Sequence, residues 1–258
     1  MTNKDWREVK QKYWRIVEDI LKKSDLILNI LDARFYQETR NPIIEKRLRK
    51  YRKKFIFILN KSDLILNKDL NRAVNELRKK FYVIPISCKE RHGKLRLIGL
   101  ITKLVRRRPM TIGIVGYPNT GKSSVINYLS GKSAARTSSV AGFTRGLQWI
   151  NLSKSIKLID TPGVIPLQEK SETNLAMKDT LTAIQDPESV ALKIIESILK
   201  KNKKSLEERY SINAKTVPEE VLQQIAEAKH KLKKQGILDL ESAARMIIND
   251  WQKGKLKP

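Results

Sequence analysis

Apolar positions along the chain keep two rhythms. Trp6, Val9, Tyr13, Ile16 and Ile20 recur at three- and four-residue steps, the spacing of one helix face. They predict an opening amphipathic helix over residues 1–23 that packs on the core. Short, nearly continuous apolar runs follow at 26–31, 55–59, 82–86, 111–115, 147–152 and 156–159, separated by helical or charged stretches. Runs of that length read as buried strands, and their alternation with helices predicts an α/β sheet covered on both faces over residues 24–167. Beyond Pro166 strand signals stop. Asp186-Pro187 opens a helix with proline at its first position and Val190, Ile194, Ile195 and Ile198 on one face. Thr216-Val217-Pro218-Glu219 reads as a capping box before Leu222, Ile225, Ala228 and Leu232, with Gly236 ending that helix. Asp239 is placed to cap a last helix through Trp251, so residues 168–258 are expected to form an all-α, basic, RNA-binding domain.

Several strand ends carry chemistry. Gly116-Tyr117-Pro118-Asn119-Thr120-Gly121-Lys122-Ser123 fits the phosphate-loop pattern GxxxxGK[ST] and follows the strand-like run 111–115. Polyphosphate needs backbone amides that converge on its oxygens without intervening side chains, hence the glycines and the helix start that follows. Lys122 would reach the outer phosphates, Ser123 would bind magnesium, and Asn119, Thr120, Gly121 and Ser124 complete this cradle. Asp160-Thr161-Pro162-Gly163 ends the run 156–159. Asp160 suits a carboxylate on the magnesium side and Gly163 an amide facing the terminal phosphate. Between them lies Ala141-Gly142-Phe143-Thr144-Arg145-Gly146, whose Thr144 is the candidate switch and magnesium residue. Lys122, Thr144 and Gly163 form the expected catalytic set.

Asn60-Lys61-Ser62-Asp63 follows the run 55–59. A carboxylate can accept from both the ring N–H and the exocyclic amine of guanine, a pair that adenine lacks, so Asp63 predicts guanine. Ser87-Cys88-Lys89 would complete the base site, with small Cys88 allowing a backbone amide to approach; Cys88 itself reads as a small buried residue. The order of these parts is unusual. Guanine-nucleotide switches place the phosphate loop first and NKxD last, whereas here the base motif comes first. The expectation is a three-layer P-loop GTPase sheet with circularly permuted strand order, the stretch from Lys89 to Met110 joining what are ordinarily the two chain ends.

Asp32-Ala33-Arg34, Arg40-Asn41-Pro42, NKSD, SCK, the phosphate loop, GFT and DTPG, in this order, resemble the YlqF family of ribosome biogenesis GTPases. The stretches 239–244 and 250–256 resemble the end of that family's helical domain. The resemblance implies GTP binding and hydrolysis with magnesium, and binding of ribosomal RNA or a pre-ribosomal particle during assembly of the large subunit. Two departures stand out. The chain opens Met1-Thr2-Asn3-Lys4-Asp5-Trp6, without the histidine-bearing start of bacterial members. His92, in a basic turn, and His230, in a lysine-rich helix, read as surface histidines and no substitutes. Val164 also stands directly after Gly163, where classical switches carry a water-orienting glutamine. Intrinsic hydrolysis is therefore expected to be slow and to need a partner or a bound ion. Asn119 matches the asparagine with which potassium-activated relatives help hold a monovalent cation, making potassium a candidate activator.

The 258 residues carry 53 Lys and Arg against 27 Asp and Glu, a net charge of +26. A chain this basic generally meets a polyanion. The charge gathers at 46–54, 106–108, 200–204 and 229–234. Aromatic content of 6% favours backbone contact over base stacking. Lacking a run of about 18 apolar residues, a secretory pattern or a second cysteine, the chain is expected to be a cytoplasmic, non-membrane monomer. Three alternatives remain open: an RNA-binding module with a mainly structural nucleotide pocket, an ATP-using P-loop enzyme, and a GTPase acting on tRNA or the small subunit.

Overall fold

Six strands form one sheet in the order β3-β2-β1-β4-β6-β5. They are β1 (Leu26–Asp32), β2 (Lys54–Asn60), β3 (Tyr82–Pro85), β4 (Met110–Val115), β5 (Gln148–Ser153) and β6 (Ile156–Asp160). The computed structural model describes residues 14–131, 148–160, 184 and 186–256, and the chain divides into two compact units, Met1–Gln168 and Glu169–Pro258. All neighbouring strands pair parallel except β5, which runs antiparallel to β6 at one edge. Phosphate-loop strand β4 lies between β1 and β6, although β1 to β3 precede it in the chain.

Central β1 is buried at all seven positions, as a parallel strand covered on both faces must be. Leu26, Leu28 and Ile30 face one cluster with Leu97 and Ile101 of helix α4 (Lys94–Leu104) and Val125, Ile126 and Leu129 of α5 (Lys122–Ser130). Ile27 and Leu31 face the other side, which α1 (14–23), α2 (Pro42–Lys50) and α3 (Asn67–Arg78) cover. Helices on both faces give the three layers expected. In α1, Val17, Ile20 and Leu21 are fully buried while Ile16 is half-buried. The inward face is thus turned from the stripe anticipated through Ile16; Trp6, Val9 and Tyr13 lie outside the described residues. Gly113 permits this docking, because a Cβ there would stand 2.5–2.6 Å from Ser24 Oγ, Ile20 Cγ2 and Ile27 Cδ1.

The second unit holds α6 (Pro187–Asn202), α7 (Lys204–Tyr210), α8 (Pro218–Ala228) and α9 (Leu240–Gln252). Asp186 caps α6 by accepting from Ser189 N at 3.0 Å, and Asp239 caps α9 by accepting from Ser242 N at 3.0 Å. Two local expectations are corrected. No capping box forms at Thr216: Val217 is the capping residue of α8, without a side-chain bond, because Pro218 takes the first helical position. That helix also stops at Ala228 rather than near Gly236. His230, at φ +49°, lies beyond the helix, and Lys231 N returns to Ala226 O at 2.8 Å in a left-handed C-terminal cap. Burial explains the stop, since Ile225 and Ala226 are covered but Leu232 is 52% exposed.

Asp250, on α9, is buried beside Tyr210. Its Oδ2 accepts from Arg209 Nε and Nη2, each at 2.7 Å, and its Oδ1 lies 3.2 Å from Lys255 Nζ. Asp250→Ala is expected to destabilise the helical unit by about 2 kcal/mol, as charge-assisted bonds go and two cations lose their counter-ion. Urea unfolding followed by circular dichroism checks this, and an unchanged midpoint would contradict it.

Candidate functional site

Parallel pairing delivers the carboxyl ends of β1, β2, β3 and β4 to one edge of the sheet, where open α/β folds bind ligands. β4 ends at Val115 and the phosphate loop follows into α5. Gly121 caps α5 at φ +89°, and a Cβ at that position would stand 2.2 Å from Asn60 Nδ2. Glycine is thus required twice, by the backbone angle and by the approach of Asn60. Asn119 takes a left-handed φ of +60°, and Thr120 Oγ1 donates to Tyr117 O at 2.9 Å. The buried ammonium of Lys122 donates to Gly116 O at 2.9 Å and Tyr117 O at 2.8 Å, which places a fixed positive charge inside the loop. Asn41 secures the loop from outside: its Oδ1 caps α2 and its Nδ2 donates to Tyr117 Oη at 3.1 Å.

The base motif meets this loop directly. Asn60 Nδ2 donates to Thr120 O at 2.9 Å, and Lys61 Nζ donates to Asn119 O at 2.7 Å. Asp63 stands one residue into the short 3₁₀ turn Ser62–Leu64. Ser87 Oγ donates to Asp63 Oδ1 at 2.5 Å and accepts from Glu90 N at 3.0 Å, so the segment after β3 orients the carboxylate. Cys88 Sγ lies 3.4 Å from Asn60 Oδ1. Burial, reinforced by nearby Asp63, pushes the Cys88 thiol up to about 12, which keeps it protonated at neutral pH, in line with a packing role. His92 is exposed, as expected of a surface histidine, and its Nε2 lies 3.3 Å from Ser62 Oγ.

A carboxylate that the sequence reading left out of the site holds these parts together. Asp32, at the end of β1 and register partner of Asn60, lies 2.9 Å from Lys61 Nζ and 2.7 Å from Arg34 Nη2, with the Arg34 side chain 2% exposed. Burial opposes its ionisation, but Lys61 and Arg34 outweigh that and hold the carboxyl well below the usual carboxylate range. Burial pushes the Lys61 ammonium down, and Asp32 counters it. A carboxyl lowered in the folded state stabilises the fold at neutral pH and gives that stability up as pH falls below its unfolded value of about 4. The wild type is therefore expected to lose stability more steeply than Asp32→Asn between about pH 4 and pH 2. Thermal melts of both across that range test it, with parallel curves as the contrary result. The motif Asp32-Ala33-Arg34 was legible as a signature, but nothing in its spacing pointed to Lys61.

The other predicted residues divide. Ser123 and Ser124 occupy the first turn of α5, where helix amides point outward, and Lys89 follows Cys88 beside the base motif. Asp160 ends β6, next to β4 in the sheet. Thr144, Gly163 and Val164 lie outside the described residues. Among those described, no cluster of three or more His, Cys, Asp or Glu could hold a metal.

A family profile described as "50S ribosome-binding GTPase" matches residues 111–237. The match begins in β4 and leaves Asn60–Asp63 outside. The structure of GNP-bound YlqF from T. maritima superposes with a TM-score of 0.64 at 25% identity, covering 95% of this chain and 94% of that one. The chain thus resembles circularly permuted YlqF in fold and in the order of its motifs. A GDP-bound YlqF structure matches this chain with a TM-score of 0.61 at 26% identity, covering 93% and 94% of the two chains. An uncharacterized GTP-binding protein of Methanocaldococcus jannaschii is 38% identical over 94% of this chain and 65% of its own length. Nuclear/nucleolar GTPase 2 of Arabidopsis thaliana is 32% identical over 95% of this chain and 44% of its own length. The chain thus spans between two fifths and two thirds of the length of these curated relatives.

Proposed function

We propose that the chain is a GTP-binding and GTP-hydrolysing switch that binds pre-ribosomal RNA or particles and assists assembly of the large ribosomal subunit. The observation that carries the nucleotide part is the double tie of Asn60 to Thr120 O and Lys61 to Asn119 O. It brings a guanine-reading carboxylate and a phosphate-binding lysine from segments about sixty residues apart to one edge of the sheet. The ribosomal part rests on the family description, the names of the nucleolar relatives and the charge of +26.

In this reading Lys122 and the amides at the start of α5 bind the β- and γ-phosphates, and Ser123, Thr144 and Asp160 would hold magnesium, which would supply charge neutralisation at the phosphates. Asp63, oriented by Ser87, reads the base. Gly163 supplies an amide to the terminal phosphate, so Thr144 and Gly163 order with GTP and loosen after hydrolysis. The helical unit, residues 168–258, responds to that change, and the protein works as a cytoplasmic monomer. Among the described residues, no helix is long and apolar enough to cross a membrane.

Crosslinking the GTP-locked protein in cell extract and sequencing the attached RNA tests the assignment. Large-subunit ribosomal RNA is the expected product, and tRNA or mRNA alone would overturn it. Because Val164 replaces the water-orienting glutamine, turnover is expected to rise at least about tenfold when potassium replaces sodium, with Asn119 helping to hold the cation. Equal rates in the two buffers would remove potassium from the mechanism.

A further inference from the structure

The edge of the sheet opposite the nucleotide site carries the strongest concentration of charge among the described residues of the first unit. Three segments far apart in sequence meet there: 22–25 before β1, 49–54 before β2 and 103–108 before β4, the three adjacent central strands. Their proximity is recorded in bonds. Lys53 Nζ donates to Ser24 O at 2.8 Å, Lys54 Nζ donates to Leu104 O at 3.0 Å, and Arg107 Nη1 lies 3.7 Å from Asp25 Oδ1. Together the segments hold eleven lysines and arginines, ten of them exposed, against one acid. That acid, Asp25, is already engaged, its Oδ2 accepting from Thr111 N at 2.8 Å. On the neighbouring helices Glu18 is paired with Arg47, and Asp19 is exposed one turn before Lys22.

We infer that this edge is the RNA-docking surface of the protein, a phosphate-backbone site on the GTPase unit itself; the inference rests on the ribosomal reading above. Helix dipoles do not account for it. Cations favour helix C-termini, but the effect fades within the last turn, whereas 52–54 and 106–108 lie past the ends of α2 and α4. Six of the eleven cations are arginines and lysines of those two loops, which no dipole requires. The chemistry favours RNA over a lipid surface, since no large exposed apolar side chain stands in these segments to insert into a bilayer. Of the two lysine clusters of the helical unit, 200–204 is partly engaged, with Lys200 paired with Glu196 at 2.6 Å and Lys203 with Glu207 at 3.4 Å. β1 spans seven residues between the two edges, which separates RNA from nucleotide by about 20 Å. Both can be bound at once, and backbone recognition reads shape rather than sequence.

The test is the full-length protein with Lys22, Lys23, Lys50 and Arg106 all changed to Ala, titrated with labelled large-subunit ribosomal RNA across a salt series. Affinity is expected to fall at least about tenfold at 0.1 M salt, and the slope of log K against log salt by about 3 to 4, as four phosphate contacts are lost. GTP affinity on the same samples should stay unchanged and reports folding. If the fourfold variant loses GTP binding, the pairs Lys22→Ala/Lys23→Ala and Lys50→Ala/Arg106→Ala decide, each expected to lose about half of that slope. An unchanged slope, with loss instead in a Lys200→Ala/Lys201→Ala/Lys204→Ala variant, overturns this placement and leaves the ribosomal reading standing. A wild type that ignores the RNA but binds phosphatidylserine vesicles overturns both.

Discussion

Lys122→Ala is expected to lower GTP affinity at least about 100-fold and to reduce turnover to background. A charge-assisted contact to phosphate in a water-poor loop contributes about 3 kcal/mol, and 1.4 kcal/mol corresponds to a factor of ten. The Lys122 side chain is buried, and its ammonium already lies against the carbonyls of Gly116 and Tyr117. Little ordering cost therefore remains when a phosphate arrives, so the loss on truncation is close to the full interaction. Those carbonyls lose a donor in the variant, so loop damage must be told apart from the missing charge. Calorimetric titration with GTP and with guanosine makes the distinction. Loss of GTP binding with guanosine affinity retained marks a phosphate effect, loss of both marks a collapsed loop, and full GTP affinity would refute the role of Lys122.

Asp63→Asn is expected to reverse base preference, weakening GTP at least about 100-fold and admitting xanthosine triphosphate. Guanine offers a ring N–H and an exocyclic amine to the two carboxylate oxygens; an amide keeps one acceptor and turns the other position into a donor. A site that loses one buried partner this way rejects the former ligand by orders of magnitude. Ser87 decides the orientation of the new amide. Its hydroxyl donates to Asp63 Oδ1 at 2.5 Å, so the asparagine would keep its oxygen there and aim its amine at the base, where xanthine carries a carbonyl. Competition between the two triphosphates for wild type and variant tests the reversal. The double variant with Ser87→Ala should blur it, because the amide could then flip. Unchanged preference for GTP would mean that Asp63 does not read the base.

Local chemistry was legible wherever a single segment carries it. The phosphate loop could be read because its glycines answer a requirement met within eight residues, and the Asp186 and Asp239 caps because a side chain bonds an amide three residues on. Thr216 misled for a reason of the same scale: Pro218 set the helix start one residue later than the capping pattern implied. The end of α8 was a different kind of miss. Helical spacing ran on through Leu232, but the helix continued only while it had a surface to cover.

Read as a string, the chain pointed to the groups each loop would bind, guanine at Asp63 and phosphate at Lys122, and showed that the motif order is rotated. Those properties belong to residue types and short spacings. That the two loops stand together depended on the parallel sheet, which brings Asn60 within 2.9 Å of Thr120 across sixty residues. The same sheet drew Asp32 onto Lys61, and its far edge gathered basic runs that composition could only count. Such partnerships are set by strand order and register, and neighbours in a sheet need not be neighbours in the chain.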